Sequence, residues 1–289
     1  MLRSLYAGVS GLRGFQTKLD VIGNNIANVN TPGFKSGRVV FQDILSQNIE
    51  GATGPDENRG GTNPKQVGLG TGIGAIDTVF TPGSPMTTNV PTDVAIEGDG
   101  FFVVQDENGQ RYLTRAGNFY VDADHYLVTS NGLRVIGAEG DPIRLGEPGD
   151  ADNRVTIEHF SIGNDGTVTY ALSDGTTHED ADNPDNLQIA LVNVANPSGL
   201  QKVGNSLYIP TPNADANIDT QGDLNTADFL STPGEDGTGT LITGVLEMSN
   251  VDLSSEFTEM IVAQRAFQAN SRIITTSDEV LQELVNLKR

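Results

Sequence analysis

The sequence predicts an α+β fold: N- and C-terminal helices form a coiled-coil-like α-domain, with a central, mainly antiparallel β-domain between them. Two observations carry this. Both chain ends place apolar residues at every seventh position, the period of helices that pack along a seam. Between them, short apolar runs alternate with Gly- and Asn-rich turn signals, the pattern of antiparallel strands. The length of 289 residues suits one large domain or two smaller ones.

The first element is a helix. Leu5, Leu12, Leu19 and Ile26 are spaced by seven, flanked by Leu2 and Val9 on one side and Phe15, Ile22 and Val29 on the other. This is one apolar stripe. Gly8, Gly11, Gly14 and Gly23 weaken it, each by up to about 1 kcal/mol relative to Ala. The helix is therefore expected to need a partner. It does not read as a cleavable signal peptide, because Arg3, Arg13, Lys18 and Asp20 are spread along it where such a peptide runs unbroken apolar residues. Asn30-Thr31-Pro32-Gly33 ends the helix. Pro32 has no N–H to continue it, and Gly33 permits positive φ. Asn28 and Asn30 can satisfy orphan groups at the helix end, and Phe34 is placed to dock as an anchor.

The middle reads as strands at Ala75–Phe80, Phe101–Gln105, Asn118–Val121, Arg154–Ile157, Thr167–Leu172, Leu187–Val194 and Ser206–Ile209. Gly98-Asp99-Gly100, Asn108-Gly109, Asn131-Gly132, Asn164-Asp165-Gly166 and Asp174-Gly175 separate them as turns. Short, regularly spaced strands suggest a sandwich or barrel-like domain. Gln47–Gln66 and Thr211–Gly239 are polar and rich in Gly, Asn and Pro or Asp, and read as linkers.

The last element is a second, longer helix. Leu253, Met260, Phe267, Ile274 and Leu281 continue a row spaced by seven that begins at Leu246. Phe257, Ile273, Val280, Leu284 and Leu287 widen the stripe, and no Pro or Gly interrupts Asn250–Arg289. Ser254, Ser255 and Glu256 look like its start, although Asp252 is an alternative cap. The rows at both ends are expected to pack within and between chains. The expected division is an α-helical assembly core at 1–30 and 247–289, extended linkers at 31–74 and 211–246, and a β-rich outer domain at 75–210.

Composition narrows the chemistry. There is no Cys, which removes disulfide scaffolds, thiolate metal sites and cysteine nucleophiles. The formal net charge is −21, and phosphate repels such a chain, so no nucleic acid is expected as partner. No stretch approaches the roughly 20 apolar residues of a membrane span. Residues 1–40 are basic, with Arg3, Arg13, Lys18, Lys35 and Arg38 against Asp20 alone; the acidity belongs to the middle. Gly70-Thr71-Gly72-Ile73-Gly74-Ala75 superficially fits a dinucleotide fingerprint, but a strand follows it where a helix is required. His125, His159 and His178 lack metal-ligand spacing. No catalytic residue, cofactor or metal site is expected. An acidic β-rich hydrolase is the rival from another class, and no carboxylate pair is singled out for it.

Asn24-Asn25-Ile26-Ala27-Asn28-Val29-Asn30-Thr31-Pro32-Gly33-Phe34-Lys35 resembles the signature of bacterial flagellar rod and hook axial proteins, through Asn25, Asn28, Asn30, Thr31, Gly33 and Phe34. Thr92–Val104, Leu113-Thr114-Arg115-Ala116-Gly117-Asn118-Phe119 and Val128–Gly132 are similar to the family's β-domain. Leu246-Glu247-Met248-Ser249-Asn250-Val251-Asp252-Leu253 through Gln264–Ser271 is similar to its terminal helix. The resemblance implies a structural protein in the flagellar hook and basal body. It implies an inner helical layer around an export channel, with β-domains outside. It also implies export through the type III apparatus on an uncleaved signal, and a homo-polymer that meets the hook cap and the rod and hook–filament junction proteins. Within the family, the short hook protein of Gram-positive type is the expected match, with the distal rod protein as the alternative.

Overall fold

The computed structural model describes residues 2–55, 60–145, 157–172, 177–178, 187–214, 230–235 and 237–287. It has two units. Met1–Ala27, Ser36–Val79 and Val251–Arg289 form one; Asn28–Lys35 and Phe80–Asn250 form the other. The α+β expectation holds, with terminal helices and a central antiparallel β-domain.

The first unit pairs helix α1 (Leu2–Ala27) with the 35-residue helix α2 (Leu253–Leu287). They run antiparallel. Gly8 faces Ile274, Gly11 faces Asn270, Lys18 meets Glu259 at 3.1 Å, and Asn25 meets Glu256. The glycines thus have a role that propensity alone does not suggest. A Cβ on Gly11 would lie 2.8 Å from Asn270 Nδ2, and one on Gly14 would lie 2.7 Å from the Phe41 ring. Both are places where a neighbour comes close to the backbone. Asp252, rather than the serines, caps α2: its carboxylate accepts the Ser254 N–H at 2.9 Å.

Residues 31–74 differ from the expected linker. They carry β1 (Gly37–Asp43), β2 (Ser46–Glu50), β3 (Lys65–Gly68) and most of β4 (Thr71–Thr78). β1 pairs antiparallel with β4, and β2 with β3, so the segment is one long hairpin. Its polar composition misleads because backbone groups satisfy one another across the ladder whatever the side chains are. Of the alternating glycines at 68–74, Gly68 ends β3, Gly70 lies between the two strands, and Gly72 and Gly74 lie in β4. Phe41 docks the hairpin on α1, its ring 5.3 Å from that of Phe15.

The second unit holds β5 (Pro85–Thr87), β6 (Val94–Glu97), β7 (Phe101–Gln105), β8 (Arg111–Thr114), β9 (Phe119–Val121), β10 (Leu127–Thr129), β11 (Arg134–Val135), β12 (Ile157–Ile162), β13 (Val168–Leu172), β14 (Thr177–His178), β15 (Leu191–Val192), β16 (Gln201–Gly204), β17 (Leu207–Ile209), β18 (Thr240–Thr243) and β19 (Val245–Glu247). β7 is the centre of the main antiparallel sheet. One edge pairs with β8; the other is shared by β15 and β11. Its side chains alternate between two cores. Phe102 and Val104 join Phe119, Leu127 and Ile189, whereas Phe101 and Val103 join Leu113, Ile136 and Tyr208. A strand buried on both faces reads as the unbroken apolar run Phe101-Phe102-Val103-Val104. The expected turns at Gly100, Gly109, Gly132 and Gly166 have positive φ. Residues 154–156 and the Asp174-Gly175 turn lie outside the described residues. The described part of 211–246 also departs from a linker: β18 pairs with β6, and β19, which begins there, pairs with β5.

Candidate functional site

The signature loop does more than end α1. Thr31 donates its N–H to the Asn28 carbonyl at 3.1 Å and its hydroxyl to the Asn28 side chain at 3.2 Å. This tight turn sets Gly33 at φ +67. A Cβ there would lie 2.6 Å from the backbone N of Ala116, so both conformation and space demand glycine. Phe34 is buried, with Lys202 Nζ 3.8 Å from its ring centroid. Asn30 is exposed.

Lys35 follows, and it is the largest surprise in the sequence. It is 1% exposed, beside Glu247 at 4% and Arg115 at 5%. Lys35 Nζ donates to Glu247 Oε1 at 2.6 Å and to the Thr81 carbonyl at 2.8 Å. Gly83 N–H donates to the same carboxylate oxygen at 2.9 Å. Arg115 Nη1 lies 3.5 Å from the other oxygen, and Nη2 donates to the Gly98 carbonyl at 2.9 Å. The Glu247 carbonyl accepts the Gly33 N–H at 2.8 Å. One glutamate therefore clasps the connector after α1 and, in sequence, the connector before α2.

The electrostatics are severe. Burial lowers the Lys35 pKa below the ordinary lysine value; Glu247 opposes this without overcoming it, and Arg115 adds to it. Burial likewise lowers Arg115 and raises the Tyr208 phenol beside them. Buried pairs of this kind add little net stability but penalise any arrangement that leaves one partner alone.

Asn25 works in the first unit. Its amide donates to the Gly37 carbonyl and accepts the Gly37 N–H, both at 2.9 Å, and donates to Glu256 at 3.0 Å. It imitates a backbone pair and joins α1, β1 and α2. The expected seam is divided. Leu5, Leu12, Leu19, Ile26, Met260, Ile274 and Leu281 are half-buried, whereas Leu253 and Phe267 are 39% and 36% exposed. The α2 row is accompanied by Ala263, Asn270 and Ser277, less exposed than their neighbours. The further stripe residues Phe257, Ile273, Val280, Leu284 and Leu287 are exposed.

Sequence reasoning missed Lys35, Arg115 and Glu247 as a group. The available signal was a charged residue embedded in each of three distinctive strings. Among the described residues no group of three His, Asp or Glu could hold a metal ion, and no helix is long and apolar enough to cross a membrane.

Three family descriptions match the chain: a flagella basal body rod protein segment at residues 5–35, the flagellar hook protein FlgE/F/G D1 domain at 95–170, and the flagellar basal body rod FlgEFG protein C-terminal segment at 242–287. The flagellar basal-body rod protein FlgG of Bacillus subtilis (strain 168) is 51% identical over 289 residues, with both chains fully covered. FlgG of Borreliella burgdorferi is 38% identical with full coverage of both. The flagellar hook protein FlgE of the same organism is 30% identical over 459 aligned positions, again with both covered. The chain belongs to the flagellar rod and hook axial protein family. It is a structural component of the hook and basal body, not an enzyme. Each matched segment of this axial protein contributes one charged residue to the clasp: Lys35, Arg115 and Glu247.

Proposed function

We propose that this chain polymerises through its terminal helices into the tube of the distal rod. The observation that carries it is the apolar surface that α2 leaves exposed. Phe257, Ile261, Val262, Val280, Leu284 and Leu287 are all exposed. Apolar surface gains about 25 cal/mol per Å² when water leaves it, and packing against neighbouring subunits supplies that gain in this reading. In this reading the helical unit is the assembly core and the β-rich unit lies outside. Leu253 and Phe267 serve seams between subunits. The half-buried Leu5, Leu12, Leu19, Ile26, Met260, Ile274 and Leu281 serve the pairing within one.

The rod is favoured over the hook by length. The Bacillus subtilis rod relative matches residue for residue in extent, whereas the hook relatives align over 459 and 483 positions against 289 here. The hook is the second reading, supported by those hook relatives at 30% and 29% identity. Export unfolded on an uncleaved signal belongs to the same proposal, as do the rod and junction proteins and the cap as partners.

Electron microscopy of the concentrated full-length protein tests the polymer. A hollow helical tube is expected; particles that stay globular and monodisperse at every concentration would overturn it. A deletion strain separates the readings. Arrest before rod completion supports the rod, and a finished rod without a hook supports the hook.

A further inference from the structure

α1 has a second face that α2 does not cover. Tyr6, Val9 and Arg13 form one wall of a groove; Ile44, Leu69 and Ile73 of the hairpin form the other. Tyr6 is 72% exposed and Ile44 55%. An exposed apolar groove rimmed by charge marks an interaction surface.

We propose that this groove receives the last turns of α2 from a second copy of the chain. The inference rests on polymerisation and names the surfaces that meet. Charge selects the occupant. Arg13 lies in the groove, and among the described residues no carboxylate lines it. On α2, Val280, Leu284 and Leu287 stand exposed at the spacing of one helical ridge. Glu279 and Glu283 sit beside them, with Asp278 one residue earlier. Earlier on α2, Phe257 is flanked by Glu256 and Glu259, which Asn25 and Lys18 engage within the chain, and the apolar residues of 260–277 are interspersed with Arg265 and Arg272 and no carboxylate, so they would meet Arg13 with like charge. Asp278, Glu279 and Glu283, which precede the terminal Lys288 and Arg289, therefore fit, and the basic stretch 260–277 does not. Ridge residues spaced by three and four pack between the similarly spaced Tyr6, Val9 and Arg13 of α1.

The chain has no Cys, so an engineered pair reports without background. Ile44→Cys and Leu284→Cys in one full-length chain replace exposed side chains. After oxidation, the polymer is expected to run as a covalent ladder on a denaturing gel, and the dilute monomer as a single band. Ile44→Cys with Phe257→Cys is the comparison pair, and no ladder is expected from it. Arg13→Glu is expected to raise the critical concentration about fivefold, and adding Glu283→Arg to restore it, since like charges across an interface repel. Polymers in which the first pair gives no ladder overturn the groove assignment and leave polymerisation standing. A wild-type chain that never polymerises overturns polymerisation itself, and the groove assignment with it.

Discussion

Glu247 shows how much one residue can specify. Its carboxylate accepts from Lys35 and Gly83 and faces Arg115, and its carbonyl accepts from Gly33. Replacing it by Gln strands two buried cations. Glu247→Gln is expected to destabilise the β-rich unit by about 3 kcal/mol, the usual cost of breaking a buried pair. Adding Lys35→Met should recover part of that loss. Denaturant midpoints of the four proteins in the cycle measure it, and a fully additive double would show that the two side chains do not interact. Glu256 offers a milder case. Burial raises its pKa above the ordinary 4.5, against the Asn25 hydrogen bond and Lys18 and helped by Glu259 and Asp252. An acid with a raised folded pKa binds more protons folded than unfolded within the interval. Its contribution to helix pairing therefore grows as pH falls through the folded value and is lost as pH rises through it. Glu256→Gln should remove this slope in the interval just above the ordinary carboxylate range. Amide exchange of α1 across that interval, compared with wild type, is the measurement.

At the scale of elements, the glycines of α1 invert a propensity argument. Glycine weakens an isolated helix, yet α2 lies where a side chain on Gly11 would have to be. Gly11→Leu improves helix propensity and is nonetheless expected to loosen the pair by about 1–3 kcal/mol through overpacking. Lower helicity and a lower melting temperature should follow, and a more stable helix pair would refute the close-approach reading. The same packing changes which substitutions isolate assembly. Leu12 and Ile274 are half-buried in the helical unit, so an Asp at either disturbs the fold of one chain. Phe257 and Leu284 are exposed, and an Asp there tests only what neighbours contribute. Element identity was largely legible. The period of seven located both helices, and the apolar run at 101–104 located the central strand. The hairpin over residues 37–78 was legible only at Ala75–Thr78 of β4, because its outer strands carry no buried face: every residue of β2 and β3 is exposed, so hydrophobic pattern carried no signal there.

For the whole molecule, charge and apolar surface pull in opposite directions. The chain carries −21, most of it between the terminal segments, and like-charged subunits repel. Exposed helix faces attract. Raising salt from roughly 0.05 to 0.5 M shortens the screening length to a few ångströms. It should lower the critical concentration for assembly, as followed by sedimentation. A higher critical concentration in salt would mean that attraction between opposite charges dominates instead. The chain by itself determined the class: two terminal helices with an apolar period of seven, an antiparallel β-domain between them in sequence, no thiols, and a set of strings similar to flagellar axial proteins. Those properties are local, written in periodicity, turn chemistry and contiguous motifs. Only the tertiary structure decided that Lys35, Arg115 and Glu247 meet, across separations of up to 212 residues. It also decided which apolar helix residues are buried within the chain and which stay exposed. Burial depends on what the rest of the chain brings alongside, and no window of sequence contains that.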